Sequence, residues 1–395
     1  MSLFKLENTV QNYEWGSRTA IHDLFGRPNP DNEPQAEIWM GAHNSGCSII
    51  SETGELLSKV IDQDKISTLG SYTAERFGAL PFLFKVLAAE KPLSIQVHPN
   101  KVKSELGFKR ENEEGISLTA LNRNYKDANH KPELVYALTF YKAMNGFRPL
   151  EQIVSLFKEV NVPQLSEYVT AFEKDCSANG LRTLFTAIMT LEGDKKTQAI
   201  AELQASYRKP VKTLLAREAL HYSEAFDAHY PGDIGLFAPL LLNTVELAPG
   251  EAMFLFAETP HAYVEGTALE VMASSDNVLR AGLTNKHVDI DELIDNTKFE
   301  PIEPQTIRMQ PIVKDQKLSY PIPVDDFAFD ILEAQQNEVT QYVRGPEILF
   351  CAEGRVTIKS GNEELTLQPG ESVFLFNNSV SYKYCGIGKL ARVYN

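Results

Sequence analysis

Gln96 and His98 stand two residues apart in Pro92-Leu-Ser-Ile-Gln96-Val-His98-Pro, where Ser94, Gln96 and His98 alternate with Leu93, Ile95 and Val97. That alternation predicts a strand with one polar face. Two donors pointing the same way are what a mononuclear metal site needs, but one strand supplies too few. Glu133, in His130-Lys-Pro-Glu133-Leu-Val-Tyr, and His261, in Thr259-Pro-His261-Ala-Tyr263, are the candidates for the rest. A Gln, two His and a Glu form a mixed N/O set suited to zinc, with no thiolate required. Taken alone, Gln-x-His is a weak signal and reads more simply as a polar strand face carrying a hydrogen-bonded histidine.

The elements that must position these residues show in the chain's changes of pattern. The first 149 residues read as mainly β, and Pro81-Phe-Leu-Phe-Lys85-Val-Leu-Ala-Ala is an apolar run expected to be a strand buried on both faces. Lys101 to Lys126 is a polar excursion, helix or loop. From 150 to 231 five apolar stripes at helical spacing (150–160, 165–176, 181–191, 195–207 and 211–230) predict a compact helical unit. Pro163, Gly180, Gly193, Pro210 and Pro231 punctuate it. The β pattern resumes over 232–320, whose proline-bearing end reads as a linker, and a last β unit occupies 321–395.

An internal repeat ties two of these regions together. Leu247-Ala-Pro249-Gly250-Glu251-Ala-Met-Phe254-Leu255-Phe256 recurs 120 residues later as Leu367-Gln-Pro369-Gly370-Glu371-Ser-Val-Phe374-Leu375-Phe376, identical at seven positions of ten. Pro-Gly-Glu makes a turn and the apolar run behind it a strand. The same offset matches His261 with Ser381, so the second copy lacks that ligand and is expected to be metal-free.

Bulk properties narrow the classes of partner. The chain has 395 residues, 43% hydrophobic and 23% charged, an ordinary globular balance. A net charge of −15 argues against nucleic acid or an anionic membrane as partner, so an anionic substrate would need a local cationic cluster. Cys47, Cys176, Cys351 and Cys385 are scattered, with no C-x-x-C pair, and read as reduced thiols. No apolar run approaches a membrane span, and Met-Ser-Leu-Phe-Lys-Leu has no signal-like pattern. A cytoplasmic protein is expected; the oligomeric state stays open, and a monomer is compatible with the sequence.

L-x-P-G-E followed by a strand and a ligand histidine resembles the second motif of the cupin family of small β-barrels. The fuller set is more specific. Tyr13-Glu-Trp15-Gly16, Glu37-Ile-Trp39-Met40-Gly41, Gln96-Val-His98-Pro-Asn, His130-Lys-Pro-Glu133, Pro260-His-Ala-Tyr263 and Ser275-Asp-Asn-Val-Leu-Arg280-Ala-Gly282 occur in that order. Together they resemble the type I mannose-6-phosphate isomerases (phosphomannose isomerases), from residue 13 to about 290. The resemblance implies a mainly β protein: a jelly-roll-like cupin barrel with an α-helical insertion and a second C-terminal cupin-like unit. It implies one zinc held by Gln96, His98, Glu133 and His261, a catalytic Arg280, and interconversion of mannose 6-phosphate and fructose 6-phosphate. A generic cupin carries His-x-His with a nearby Glu; here Gln replaces the first His and Glu133 lies 35 residues past His98.

An aldose–ketose isomerase moves one proton between C1 and C2 and another between their oxygens, so it needs a base, an enediolate stabiliser and a phosphate grip. Zinc can act as Lewis acid or as template. Arg280 offers a planar charged fork for oxyanions; the competing reading pairs it with Asp276, four residues earlier. His130 and Lys131 precede the Glu133 ligand and could shuttle a proton, or His130 could be a hydrogen-bonded support. Lys85 in an apolar strand needs a partner or substrate. Glu270 could neutralise it, bind a sugar hydroxyl or move a proton. Tyr263 should share the face of His261, Ser94 that of Gln96, and Trp15 reads as core or as a sugar-stacking platform. Lys286, His22, His43, His221, His229 and His287 read as surface or packing residues. The rival readings are a non-catalytic sugar-binding cupin stapled by zinc and an isomerase for another aldose phosphate.

Overall fold

The computed structural model describes residues 3–395. At the centre of the first sheet lies Phe82–Ala89, every residue of it buried, as its continuous apolar run requires. Glu37–Met40 pairs with it on one side and His261–Ala273 on the other, which sets Lys85 opposite both Trp39 and Glu270. His261–Ala273 is long enough to serve two sets of neighbours. Its start pairs with Ile95–Val97 and Tyr141–Phe147, its far half with Phe82–Ala89 and Glu133–Ala137. The change of partners falls where the register slips between Tyr263 and Glu265 and where Gly266 takes φ +114°. A side chain at 266 would meet Phe140 O at 2.4 Å, so only glycine passes.

Five helices, Leu150–Val160, Ser166–Lys174, Ala178–Met189, Gly193–Gln204 and Leu214–Asp227, fall on the five apolar stripes. A further short helix, Ala238–Leu241, is too brief to show a period. Their core extends into the sheet: Ile95, Val97, Ala262, Val264, Leu279 and Ala281 are buried in the same cluster as Phe185 and Leu241. Strand alternation then turns Gln96, His261, Tyr263 and Arg280 to the opposite side. The helical unit is thus the backing against which three site-bearing strands are pressed.

In the second sheet, Ile312–Lys314 and Lys317–Tyr320 form a hairpin that pairs onto Ala328–Ala334, so the last part of the stretch read as a linker is sheet. Pro311, Pro321 and Pro323 interrupt its alternation, and exposed Ile312 and Val313 blur its faces. The first strand, Leu3–Glu7, belongs to this sheet as well, between Ser372–Leu375 and Ile49–Ile50. No local pattern announces a partner more than 360 residues away. The repeat is a true structural one: Gly250 and Gly370 have φ +93° and +85°, and Glu251 and Glu371 accept from the Ala248 and Gln368 amides at 2.9 and 2.8 Å.

Candidate active site

His98, Glu133 and His261 come together from three elements and are all buried. His98 follows the short strand Ile95–Val97, Glu133 opens Glu133–Ala137, and His261 opens its strand opposite Gln96. His98 Nε2 lies 3.2 Å from Glu133 Oε1, and His261 Nε2 lies 3.4 Å from Glu133 Oε2. Each ring spends its other nitrogen on a backbone carbonyl: His98 Nδ1 donates to Asn277 O at 2.7 Å and His261 Nδ1 to Thr259 O at 2.9 Å. A neutral imidazole that donates from Nδ1 has a bare lone pair on Nε2. Two lone pairs therefore face a carboxylate, an arrangement that invites a cation between them. His98 Nε2 is buried without a hydrogen bond.

The electrostatics agree. Burial, with the Lys131 ammonium adding to it, pushes His98 down to about 4, so the ring is neutral near pH 7. Burial alone would raise Glu133, but Lys131, with Nζ at 3.2 Å, holds it well below the usual carboxylate range. Tyr263 Oη donates to Glu133 Oε2 at 2.7 Å. Gln96 lines the same cavity, its Nε2 donating to Ser94 Oγ at 3.3 Å, which leaves Oε1 as the amide's acceptor. Neutral nitrogens, an ionised carboxylate and an amide oxygen make a donor set that fits zinc without any sulfur.

Above the donors opens a cleft of about 550 Å³. Trp15, Lys85, Ser94, Gln96, Lys131, Asp276 and Arg280 line it, while Tyr263 and Glu270 line the small cavity beneath with Glu133 and His261. Trp15 answers both of its readings: it packs against core residues and stacks on Tyr13, ring centroids 5.8 Å apart, at the cleft wall. Arg280 is not paired with Asp276, which faces His43 Nε2 at 3.5 Å. Lys126 and the exposed Lys286 line the same cleft, and His229 joins them on the wall. Among the described residues none of Arg280, Lys126 and Lys286 has a carboxylate partner; burial lowers Arg280, and burial with Arg280 and Lys126 nearby lowers Lys286. An unneutralised cationic group in a chain of net charge −15 is a local site for an anion.

Lys85 has its partners. Nζ donates to Glu270 at 2.9 Å and lies 3.7 Å from Glu37, which in turn accepts from Trp39 Nε1 at 2.6 Å. Burial works against the ammonium, but two carboxylates outweigh it and hold Lys85 charged. With one cation between two acids, burial keeps Glu270 above its ordinary value. Glu37 and Trp39 stand in a motif of the resemblance but take no role from the sequence alone; strand register sets Trp39 opposite Lys85 and Glu37 two residues away on the same strand.

His130 is the candidate that the structure does not bring to the donors. Its Nε2 faces Asp326 at 2.9 Å, and with Pro132 it lines a separate cleft beside Pro323 and Val324. Residues 130 and 132 face one way and Lys131 and Glu133 the other, as alternation dictates. The geometry gives His130 the supporting place and leaves Lys131 at the cleft.

Comparison with known proteins converges on one family. Residues 3–150 match the model of the phosphomannose isomerase type I catalytic domain, 156–242 that of its helical insertion domain, and 316–395 that of the mannose-6-phosphate isomerase cupin domain. The chain is 49% identical to mannose-6-phosphate isomerase of Escherichia coli (strain K12) over 99% of both chains. It is 36% identical to that of Macaca fascicularis over 96% of this chain and 95% of the other. A crystal structure of zinc-bound mannose 6-phosphate isomerase superposes with a TM-score of 0.94 at 48% identity, covering all of both chains. Fold, donor set and full-length similarity place the chain in the type I phosphomannose isomerase family, mainly β, with a cupin domain and a helical insertion.

Proposed function

We propose that this chain binds one zinc ion through Gln96, His98, Glu133 and His261 and interconverts mannose 6-phosphate and fructose 6-phosphate through an enediolate. The observation that carries the reading is an unpaired cationic group lining the cleft that opens over bare, cation-inviting donors. The full-length likeness to isomerases of that name supports the substrate, and the zinc-bound relative supports the metal. A zinc-stapled, non-catalytic cupin would have no use for a proton-carrying Lys131 beside its metal ligand Glu133.

The division of labour follows from position. Lys126 and Lys286 hold the phosphate, while Arg280, paired in register with Gln96, faces the oxyanion that forms at the sugar end, and the cleft volume suits a hexose phosphate. The sugar end then lies over Gln96 and Lys131, beside Trp15. When bound, zinc supplies charge stabilisation at the sugar oxygens. Lys131, 11% exposed at its side chain, presents an ammonium to the sugar's carbonyl oxygen, and can give that oxygen a proton and recover one from the neighbouring hydroxyl oxygen. The Lys85–Glu270–Glu37 triad forms a rigid polar wall beneath, available to sugar hydroxyls. The reading places the enzyme in the cytoplasm, in keeping with four free thiols.

A coupled assay for fructose 6-phosphate formation, before chelation, after it and after zinc is returned, tests the proposal. Zinc-restored turnover is expected. Mannose 6-phosphate binding without turnover would establish the sugar-binding rival instead.

A further inference from the structure

Asn277 is fully buried, and its one side chain ties together two segments of the cleft. Its Oδ1 accepts from the amides of Lys126 at 2.7 Å and Asp127 at 3.2 Å. Its Nδ2 donates to Asp127 O at 2.8 Å and Asn129 O at 2.9 Å, and lies 3.3 Å from Asp127 Oδ1. Asp127 returns the bond: its carboxylate accepts from Ser275 Oγ at 2.8 Å and from the Asp276 amide at 2.7 Å. The joint locks residues 126–129 to residues 275–277. Asn277's own carbonyl oxygen then accepts from His98 Nδ1, the bond that turns the bare Nε2 of that ring toward Glu133. One buried residue therefore touches the backbone of Lys126, orients His98, and sits three residues before Arg280.

We infer that Asn277 is a positioning residue that couples two halves of the site, fixing the His98 ring for the metal and Lys126 for the phosphate. The inference rests on the proposed isomerase reading, since it assigns those two jobs to His98 and Lys126. A buried amide with every donor and acceptor used fixes its surroundings more tightly than packing alone. Replacing its amide by a carboxylate, Asn277→Asp, keeps the acceptor for the Lys126 and Asp127 amides. It turns a second oxygen onto the carbonyls of Asp127 and Asn129 and onto Asp127 Oδ1, 3.3 Å away; the Asp127 carbonyl loses its side-chain donor and the Asn129 carbonyl keeps only Ser275 Oγ at 3.2 Å. The segment must shift, and the Asn277 carbonyl and Lys126 shift with it.

The test measures zinc affinity by competition with a chromogenic chelator, and KM and kcat for mannose 6-phosphate, on wild type, Asn277→Asp, Lys126→Ala and the double variant. Zinc affinity of Asn277→Asp is expected to fall about tenfold or more, the usual effect of losing a ligand's support. KM is expected to rise roughly tenfold, and that rise should vanish in the Lys126→Ala background, because there is no longer a side chain to misplace. A lower thermal midpoint with wild-type zinc affinity and KM would overturn the inference and leave Asn277 a packing residue. A KM rise that persists without Lys126 would remove the phosphate half. If Asn277→Asp yields no folded protein, Asp127→Asn loosens the same joint from the other side; unchanged zinc affinity and KM there refute the coupling. Wild type failing to bind zinc or turn over the sugar would instead strike the isomerase reading itself.

Discussion

Glu347 holds, in the C-terminal sheet, the ladder position that Glu133 holds in the first. Glu133 pairs with Leu255 and Glu347 with Leu375, residues 120 apart in the repeat, and four residues on, Ala137 O and Cys351 O accept from the equivalent Gly250 and Gly370 amides. Around Glu133 stand two histidines; around Glu347 stands Arg392. Its Nε donates to Glu347 at 2.8 Å and its Nη1 to Asp330 at 2.9 Å, all three groups being almost fully buried. Ser381 stands where His261 would be. A guanidinium built into the chain thus answers the carboxylate that a metal would answer in the first unit.

Arg392→Met should leave Glu347 and Asp330 buried without their cation, destabilising the protein by about 3–5 kcal/mol. Zinc should remain at one per chain, because the first site is untouched. Denaturant melts and elemental analysis on the same preparation check both. A second zinc bound by the variant or by wild type would end the view of the C-terminal unit as metal-free.

Glu133→Gln keeps the size of the buried ligand and removes its charge. Lys131, at 3.2 Å, then loses its partner, and Tyr263 loses the ionised acceptor of its hydroxyl. Zinc per chain after dialysis against a weak chelator should drop at least tenfold, with turnover falling in step. Full zinc loading of the variant would move the ligand role away from Glu133.

Much of the site is legible in the sequence because strands carry it. Gln96, His98 and Tyr263 follow from two-residue alternation and Arg280 from the resemblance of its motif, while apolar Ile95, Val97, Ala262 and Ala281 mark the face pressed on the helices. The same alternation, applied to His130-Lys-Pro-Glu133, separates His130 from Lys131, a signal present but outweighed by the chemical appeal of a histidine. Lys126 and Lys286 were not legible. They lie outside the strands and line one cleft only in the folded chain, which no local pattern announces. Leu3–Glu7 likewise carries no mark of its distant partner Ser372–Leu375.

Lys286→Ala tests the phosphate end. The side chain is exposed and unpaired, so stability should be unchanged within about 0.5 kcal/mol. KM for mannose 6-phosphate should rise roughly tenfold and become less sensitive to added salt, since one screened attraction is gone. Weak inhibition by unphosphorylated mannose should stay as in wild type. An equal loss of affinity for both sugars would place Lys286 elsewhere than at the phosphate.

Cys351 gives a pH dependence that lies far from the metal. Its thiol is fully buried in the C-terminal core, and burial pushes it up to about 12 against an ordinary value near 9. The folded state therefore keeps a proton that the unfolded chain releases above pH 9. That contribution is complete below pH 9 and is lost as pH rises toward 12, by up to about 1.4 kcal/mol per pH unit. Stability of wild type should fall more steeply between pH 9 and 10.5 than that of Cys351→Ala. Parallel slopes in urea melts would show that the thiol ionises as readily folded as unfolded.

Arg280→Lys separates the shape of the charge from its sign. Arg280 has no protein carboxylate among the described residues, so its fork is free for a substrate oxyanion, and Lys keeps the charge but not two parallel donors. The backing strand residues Leu279 and Ala281 are unchanged, so fold and zinc content should be kept. Turnover is expected to drop by about 10²-fold, the scale of losing a donor to charge that develops in the transition state. If Arg280 were a structural brace, the order would invert: a lower thermal midpoint or lost zinc, with little change in turnover per folded molecule. Zinc content, thermal midpoint and kcat from one preparation decide between the two, and wild-type turnover in the lysine variant takes Arg280 out of the chemistry.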